Sequence, residues 1–94
     1  MKKIYKYPFT LDDDGIARVS MLRSAEILKI AEQHGKICAW ALIDTDDRMV
    51  HTRTFYVVGT GQELRDFGRS TGLQHVDTFL MMDGDFVWHV FEVV

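Results

Sequence analysis

The feature that most constrains this chain is a set of predicted strands that are apolar on both of their alternating faces. In KICAWALID, residues 36–44, the two alternating sets are Ile37, Ala39, Ala41, Ile43 and Cys38, Trp40, Leu42. An antiparallel sheet with one wet face alternates apolar with polar residues. Because these strands do not, both faces need a cover: a second sheet, a helix or a second copy of the chain. We therefore expect a β fold and self-association.

The size of the chain limits how large a core it can build. Its 94 residues, of which 47% are hydrophobic, predict one β domain spanning residues 1–94. A chain of this length buries only about 60–65% of its unfolded surface, so its core is modest. The apolar supply therefore exceeds what one small core needs, which again favours contact with another subunit.

Strand and turn signals predict a mostly β fold with about six or seven strands. We expect a small antiparallel sandwich or a partly open barrel, with at most one short helix. The predicted strands are residues 4–7, ending at Pro8, then 16–21, 36–44, 49–58, 79–82 and 85–91. Asp83-Gly84 predicts a tight hairpin turn between the last two strands. The polar segment 62–72 has room for one helical turn at most.

The segment SAEILKIAEQHG, residues 24–35, is ambiguous. Ser24 can cap a helix, Gly35 can end it, and Ile27, Leu28 and Ala31 fall at helical spacing. As a strand, the segment alternates imperfectly. Local signals alone therefore favour a helix between Ala25 and Gln33.

Charge and composition exclude several classes of partner and location. The net charge is −3 with both signs interspersed, so no basic stripe for duplex nucleic acid is present. No run approaches the ~20 apolar residues of a membrane helix, and the start MKKIYKYPFTLDDD has no signal-peptide core. Cys38 has no second cysteine to pair with. We expect a soluble, cytoplasmic protein that contacts neither membrane nor duplex nucleic acid.

Gly59-Thr60-Gly61, at the end of a predicted strand, has two interpretations. A dinucleotide fingerprint is incomplete, because Leu64 stands where its third glycine belongs, and a P-loop is absent. A simple turn is therefore the first interpretation. The second is an anion site that uses backbone N–H groups and the Thr60 hydroxyl. The candidate phosphate-binding forks are Arg53, Arg65 and Arg69, of which Arg65 and Arg69 lie close by in sequence.

Catalytic and metal motifs are not recognisable in the sequence. The four histidines lack metal-ligand spacing, so we predict no metal and no cofactor. His89 lies in an apolar strand, and it is either a satisfied half-buried histidine or a donor to a ligand. His75 is a weaker candidate of the same kind. Cys38 is expected to pack inertly in its strand. We therefore predict that the protein is not an enzyme.

Four blocks of the sequence resemble a known family. IYKYPF, ILKIAEQHGKICAWALID, FYVVGTG and VWHVFE resemble, in order and spacing, small phage and prophage proteins of a family with unknown function. The resemblance covers residues 4–92 and is weakest over 62–72. It implies a strand at Glu26–Ala31 that pairs with Cys38–Ile43 across His34-Gly35, and we follow it over the local preference for a helix. The family often has His-Pro after the second glycine, where this chain has Gln62-Glu63.

Two functions follow as expectations. The first is a phage-type accessory protein that binds and sequesters a small nucleotide-like ligand, such as a host immune signal, in the host cytoplasm. Its predicted ligand-binding residues are Gly59, Thr60, Gly61, Arg53, Arg65, Arg69, His89 and Trp40, with Trp40 stacking on a base. The alternative is an oligomeric module that binds a host or phage protein through an apolar face.

Overall fold

The protein is a sandwich of two open antiparallel sheets in a computed structural model that describes residues 1–67, 72–81 and 83–94. The strands are β1 (Lys2–Phe9), β2 (Ile16–Leu22), β3 (Glu26–Gln33), β4 (Lys36–Asp44), β5 (Val50–Gly59), β6 (Leu73–Met81) and β7 (Phe86–Val93). One sheet has the order β1-β4-β3 and the other β2-β5-β7-β6. The described residues form no helix. The predicted mostly β sandwich is confirmed, and the sheets do not close into a barrel.

Residues 26–33 form a strand, so the local preference for a helix is wrong. Glu26 lies opposite Leu42 and Ala31 opposite Cys38. The strand pairing that the family resemblance implied is confirmed, but it ends one residue earlier on β4, at Leu42 rather than Ile43. A register shift between Ile27 and Lys29 marks a β-bulge. The bulge breaks the two-residue period of a strand, which explains why the alternation read from the sequence was imperfect.

Two predicted strand boundaries also need correction. β1 does not end at Pro8, which pairs with Cys38 inside the strand. Proline is tolerated there because β1 lies at the edge of its sheet, where an N–H group is not needed. β6 begins at Leu73 rather than at Phe79, and it contains a second bulge between His75 and Asp77. Its polar first half concealed the strand.

The main core lies between the two sheets. Its largest fully buried side chains are Phe55, Met21, Ile30, Ile43 and Val90, which come from both sheets. From β4 it takes the set that contains Ala39 and Ala41. Each large apolar side chain buried in this way contributes about 1.5–3 kcal/mol to folding.

Part of the outer face of the four-stranded sheet is covered by the chain itself. Tyr56 and Val58 lie in a second apolar cluster, against which Phe67 packs. The Phe67 ring meets the Tyr56 ring edge-on at 5.0 Å, and the Arg65 backbone N–H donates to the Tyr56 hydroxyl at 3.1 Å. The second apolar face of β5 therefore finds part of its cover in residues 65–67 of the same chain.

The outer face of the three-stranded sheet is less covered. Cys38, Trp40 and Leu42 lie on this side because the other set of β4 faces the core. The Lys6 ammonium on β1 donates to the Gln33 amide oxygen on β3 at 2.9 Å, so this hydrogen bond crosses β4. Cys38 on β4 is buried. Ile4, opposite Leu42, stays 60% exposed. We call this surface, defined by Ile4, Trp40 and Leu42, the Trp40 face.

Candidate functional site

The glycine segment forms a tight turn at the end of β5. The Gln62 N–H donates to the Gly59 carbonyl at 3.2 Å, and Gly61 at the third position has a φ of 90°. This is the arrangement of a type II turn, in which glycine is preferred at that position. The Thr60 N–H donates to the Val87 carbonyl at 3.3 Å, and the Gly59 N–H donates to the Gln62 side chain. Three backbone N–H groups of the turn thus have partners within the protein.

Position 59 requires glycine because its surroundings are crowded, and not because of its backbone angles. A Cβ atom added there would lie 3.3 Å from Cζ3 of Trp88 and 3.2 Å from Oε1 of Gln62. Both distances are tighter than ordinary van der Waals contact. The absent side chain therefore lets the indole of Trp88 lie against the β5 backbone.

The turn is joined to β6 and β7 by a chain of four polar side chains, which we call the Thr60–His75 relay. The Thr60 hydroxyl lies 2.7 Å from Nε2 of His89, and Nδ1 of His89 lies 3.0 Å from the Thr78 hydroxyl. The same hydroxyl lies 2.9 Å from Nε2 of His75. Each hydroxyl can donate or accept, so the protons can all point towards Thr60 or all towards His75.

Strand register assembles the relay. Thr78 lies opposite His89, which in turn lies opposite Val58 on β5. Thr60 follows Val58 by two residues and so stays on the same side of the sheet. His89 was a sequence candidate and His75 a weaker one, whereas Thr78 was missed. No local signal marks Thr78, because its role depends on a pairing with a residue eleven positions away.

A cleft of about 290 Å³ opens beside the turn. It is lined by Gly59, Thr60, Asp85, Phe86, Val87 and Trp88. The Phe86 and Trp88 rings are stacked, with centroids 6.1 Å apart and planes 25° apart. Phe86 is 48% exposed, so an apolar ring surface is open to a ligand. Asp85 places a carboxylate at the same cleft.

A second acidic segment lies on the other side of the turn. Asp12, Asp13 and Asp14 line a neighbouring cleft of about 280 Å³, to which Gln62 and Trp88 also contribute. The Ile16 and Asp14 backbone N–H groups donate to Asp12 and hold the pKa of its carboxyl below the usual value. Carboxylates therefore flank the turn on both sides, which favours ligand groups that carry N–H donors there.

The structure does not bring the predicted arginines to the glycine turn as a group. Arg53 lies six residues before Gly59 on β5, about 20 Å along the strand. Its guanidinium grips Glu92 with two hydrogen bonds of 2.8 and 2.7 Å and donates to the Ala25 carbonyl at 2.9 Å. Arg65 lies nearer and pairs with Asp14 at 3.7 Å. Arg69 lies outside the described residues.

Trp40 is also remote from the turn. It lies on the outer face of the three-stranded sheet, whereas the relay lies on the outer face of the four-stranded sheet. Of the predicted site residues, Gly59, Thr60, Gly61 and His89 come together. Among the described residues, no group of three or more His, Cys, Asp or Glu side chains is placed to hold a metal ion.

Comparison with known families places the chain. The model of the family described as Domain of unknown function (DUF7352) matches residues 1–94. The chain belongs to this family. The same comparisons found no curated protein and no solved structure that matches this DUF7352 chain. Within the described residues of this DUF7352 domain, no helix is long and apolar enough to cross a membrane.

Proposed function

We propose that the protein binds and sequesters a small nucleotide-like ligand without converting it. The observation that carries this proposal is the cleft beside the glycine turn, where the stacked Phe86 and Trp88 rings share the lining with Thr60 and Asp85. Aromatic side chains stack on the faces of planar bases, and a few polar groups then fix the orientation of the ligand.

Each group has a role in this proposal. A base ring lies against Phe86, and its ring N–H groups donate to the Asp85 carboxylate. The volume of about 290 Å³ suits one base or nucleoside, so phosphates extend outside the cleft. Arg65 is half-exposed, and its Asp14 pair is long, at 3.7 Å. Its guanidinium also lies over the Phe67 ring at 5.5 Å, and it would leave that ring to turn towards a phosphate.

We propose the cytoplasm of a phage-infected host cell as the setting in which the protein works. The sequence blocks that resemble phage and prophage proteins support a phage-encoded accessory protein that works in the host cytoplasm. A nucleotide-type immune signal of the host is the ligand class that such a protein would remove. Sequestration requires tight binding and no chemistry.

Native mass spectrometry with a panel of cyclic dinucleotides and ADP-ribose derivatives tests the proposal. We expect at least one member to bind and to be recovered unmodified after denaturation. Phe86→Ala should weaken binding roughly tenfold, since stacking on an aromatic side chain is worth about 1–3 kcal/mol per base. Leu80→Ala is the matched control, because Leu80 is another exposed apolar residue, at 62%, on the neighbouring strand.

Three results would contradict sequestration. If no member of the panel binds, sequestration of this ligand class is contradicted. If the Phe86→Ala variant binds as tightly as the parent, the cleft is not the binding site. A ligand recovered with a changed mass would instead indicate an enzyme. That outcome would point to the Thr60 hydroxyl, because its 2.7 Å contact with His89 is also the geometry in which an imidazole activates a hydroxyl.

The Trp40 face favours a second candidate function, an oligomeric module that binds a host or phage protein or another copy of itself. Ile4 is 60% exposed, and Trp40 and Leu42 beside it are only half-buried. We expect Leu42→Glu to disrupt an assembly formed through this face. Thr52→Glu, an exposed position on the other sheet, is the control. A Leu42→Glu variant with the same oligomeric state and the same stability as the parent would contradict an assembly through this face.

A further inference from the structure

A larger cleft lies at the same end of the sandwich, between the β1–β2 loop, the β3–β4 hairpin and the end of β6. Its volume is about 480 Å³. Phe9, Leu11, Ile37 and Met81 provide apolar surface, and His34 and Lys36 provide polar side chains on the hairpin. None of the residues predicted from the sequence as a ligand site lies here. The cleft is thus separate from the one beside the glycine turn.

The apolar surface of this cleft continues into the core. Phe9 is buried, stacks on Phe55 at 6.0 Å and belongs to the main cluster. Leu11, Ile37 and Met81 are partly buried and pack against that cluster. The floor is therefore held by the core, while its outer surface remains open. A preformed, mostly apolar cleft with few polar groups is the usual form of a small-molecule site.

The hairpin holds the polar rim in a fixed position. His34 has a φ of 54° and Gly35 a φ of 79°, the positive angles of a two-residue type I′ turn. The Glu32 carboxylate accepts a hydrogen bond from the Gly35 N–H and so fastens the turn. Non-glycine residues are uncommon at positive φ, so the His34 ring is presented from a constrained backbone position.

The polar side chains at the rim are unpaired within the described residues, although the Glu32 carboxylate beside Gly35 keeps its negative charge. Within the described part of the chain, neither the His34 nor the Lys36 side chain has a hydrogen-bond or ion-pair partner. The described lining residues include no carboxylate. The nearest acidic group on the hairpin, Glu32, is engaged by the turn. This cleft therefore differs in charge from the glycine-turn cleft, which Asp85 lines.

We propose that this cleft binds an amphiphilic anion, a medium-chain carboxylate. The chain lies on Phe9, Leu11, Ile37 and Met81, and the carboxylate accepts hydrogen bonds from the Lys36 ammonium and the His34 ring. Burial of the chain supplies the affinity, and the charged rim selects an anion over a neutral or cationic amphiphile of the same length. The proposal is independent of nucleotide binding, because the two clefts share no lining residue.

Isothermal titration with octanoate, octanamide and octylammonium tests the proposal, because the three compounds share one tail and differ in head-group charge. We expect octanoate to bind about tenfold more tightly than octanamide, since the Lys36 ammonium forms a stronger hydrogen bond with a carboxylate than with a neutral amide. Octylammonium should bind least. Equal affinities for all three, or no binding of octanoate, would overturn the proposal.

Variants locate the head-group site. Lys36→Glu should reduce octanoate affinity to or below that of octanamide. Lys2→Glu makes the same charge change on an exposed lysine at the opposite end of the sandwich and should have little effect. His34→Gln provides a second variant with a smaller expected loss. If the Lys36→Glu variant binds octanoate as tightly as the parent, and circular dichroism shows that it is folded, the rim does not bind the head group and the proposal is overturned.

Discussion

Side-chain contacts join the two sheets more tightly along the β3–β6 side of the sandwich than along the β1–β2 side. On one side the Asp77 carboxylate, at the bulge in β6, accepts a hydrogen bond of 2.7 Å from the Ile30 backbone N–H on β3. The Lys29 ammonium lies 3.7 Å from the same carboxylate oxygen. On the other side, the Leu22 N–H reaches the Tyr7 hydroxyl only at 3.5 Å. Asp77 thus joins the sheets where no ladder of strands does.

Asp77→Ala should destabilise the protein by about 1–3 kcal/mol, because the N–H of fully buried Ile30 loses its acceptor. Asp77→Asn should cost less, since its amide oxygen can still accept one of the two backbone hydrogen bonds that Asp77 accepts from Ile30 and Thr78. Urea unfolding measures both changes. Asp13→Ala, in an exposed loop, is the control, and equal stability of the Asp77→Ala and Asp13→Ala variants would contradict this role.

Asp47 makes part of the stability depend on pH. The Met49 and Ser24 backbone N–H groups donate to its carboxylate at 2.9 and 2.8 Å and hold the pKa of Asp47 below the usual value. The pKa is lower in the folded state, so the contribution is complete above the unfolded pKa, about 3.9. It is lost as the pH falls through the folded pKa.

Thermal unfolding from pH 7 to pH 2.5 should show this dependence. Asp47→Ala should melt below the parent protein at pH 7, and the difference should shrink as the pH falls below about 4. The Asp12 carboxylate is held in the same way by backbone N–H groups, so the parent should lose stability in this range for more than one reason. A difference between Asp47→Ala and parent that persists unchanged at pH 2.5 would contradict the assignment.

At the scale of the strands, Arg53 joins three elements. From β5 it holds Glu92 on β7 with two hydrogen bonds and the Ala25 carbonyl, just before β3, with a third. The side chains of Arg53 and Glu92 are only 23% and 17% exposed. The sequence suggested Arg53 as a phosphate contact because an arginine fork binds phosphate oxygens two at a time. In the structure its guanidinium is engaged by residue 92, a partner 39 positions away.

Arg53→Ala should destabilise the fold by about 2–4 kcal/mol, because it leaves the Glu92 carboxylate mostly buried without its cation. The Arg53→Met, Glu92→Gln double variant should be less harmful than the sum of its single variants. A double-mutant cycle by urea unfolding measures this coupling. Additive effects would contradict a direct pair. Any ligand-binding result on Arg53→Ala therefore requires a matched stability measurement.

The bulges show where element prediction from sequence fails. In β3 the two-residue period is interrupted between Ile27 and Lys29, so the segment looks as helical as it looks extended. In β6 the bulge and the polar residues Gln74, His75 and Asp77 hid six residues of strand. In both cases the pairing partner, rather than the local sequence, determines the conformation.

For the whole molecule, the order of strands sets the expected folding rate. β1, residues 2–9, pairs with β4, residues 36–44, and β2 pairs with β5, which is about as far away along the sequence. Such non-local pairings require large loops to close early, so sandwiches of this kind fold in milliseconds to seconds. We expect stopped-flow refolding, followed by tryptophan fluorescence, to fall within that range. Complete refolding in microseconds would indicate a transition state built from local hairpins alone.

The sequence by itself determined the β class, the central strands and the hairpin turns, because alternation, β-branched residues and Gly-containing turns act locally. It also showed that both faces of the central strands needed cover. Only the tertiary structure decided what provides that cover: residues 65–67 over β5, and the Lys6–Gln33 hydrogen bond over Cys38. The Thr60–His75 relay, the Arg53–Glu92 pair and the cleft at His34 depend on register between distant strands, which no local pattern encodes.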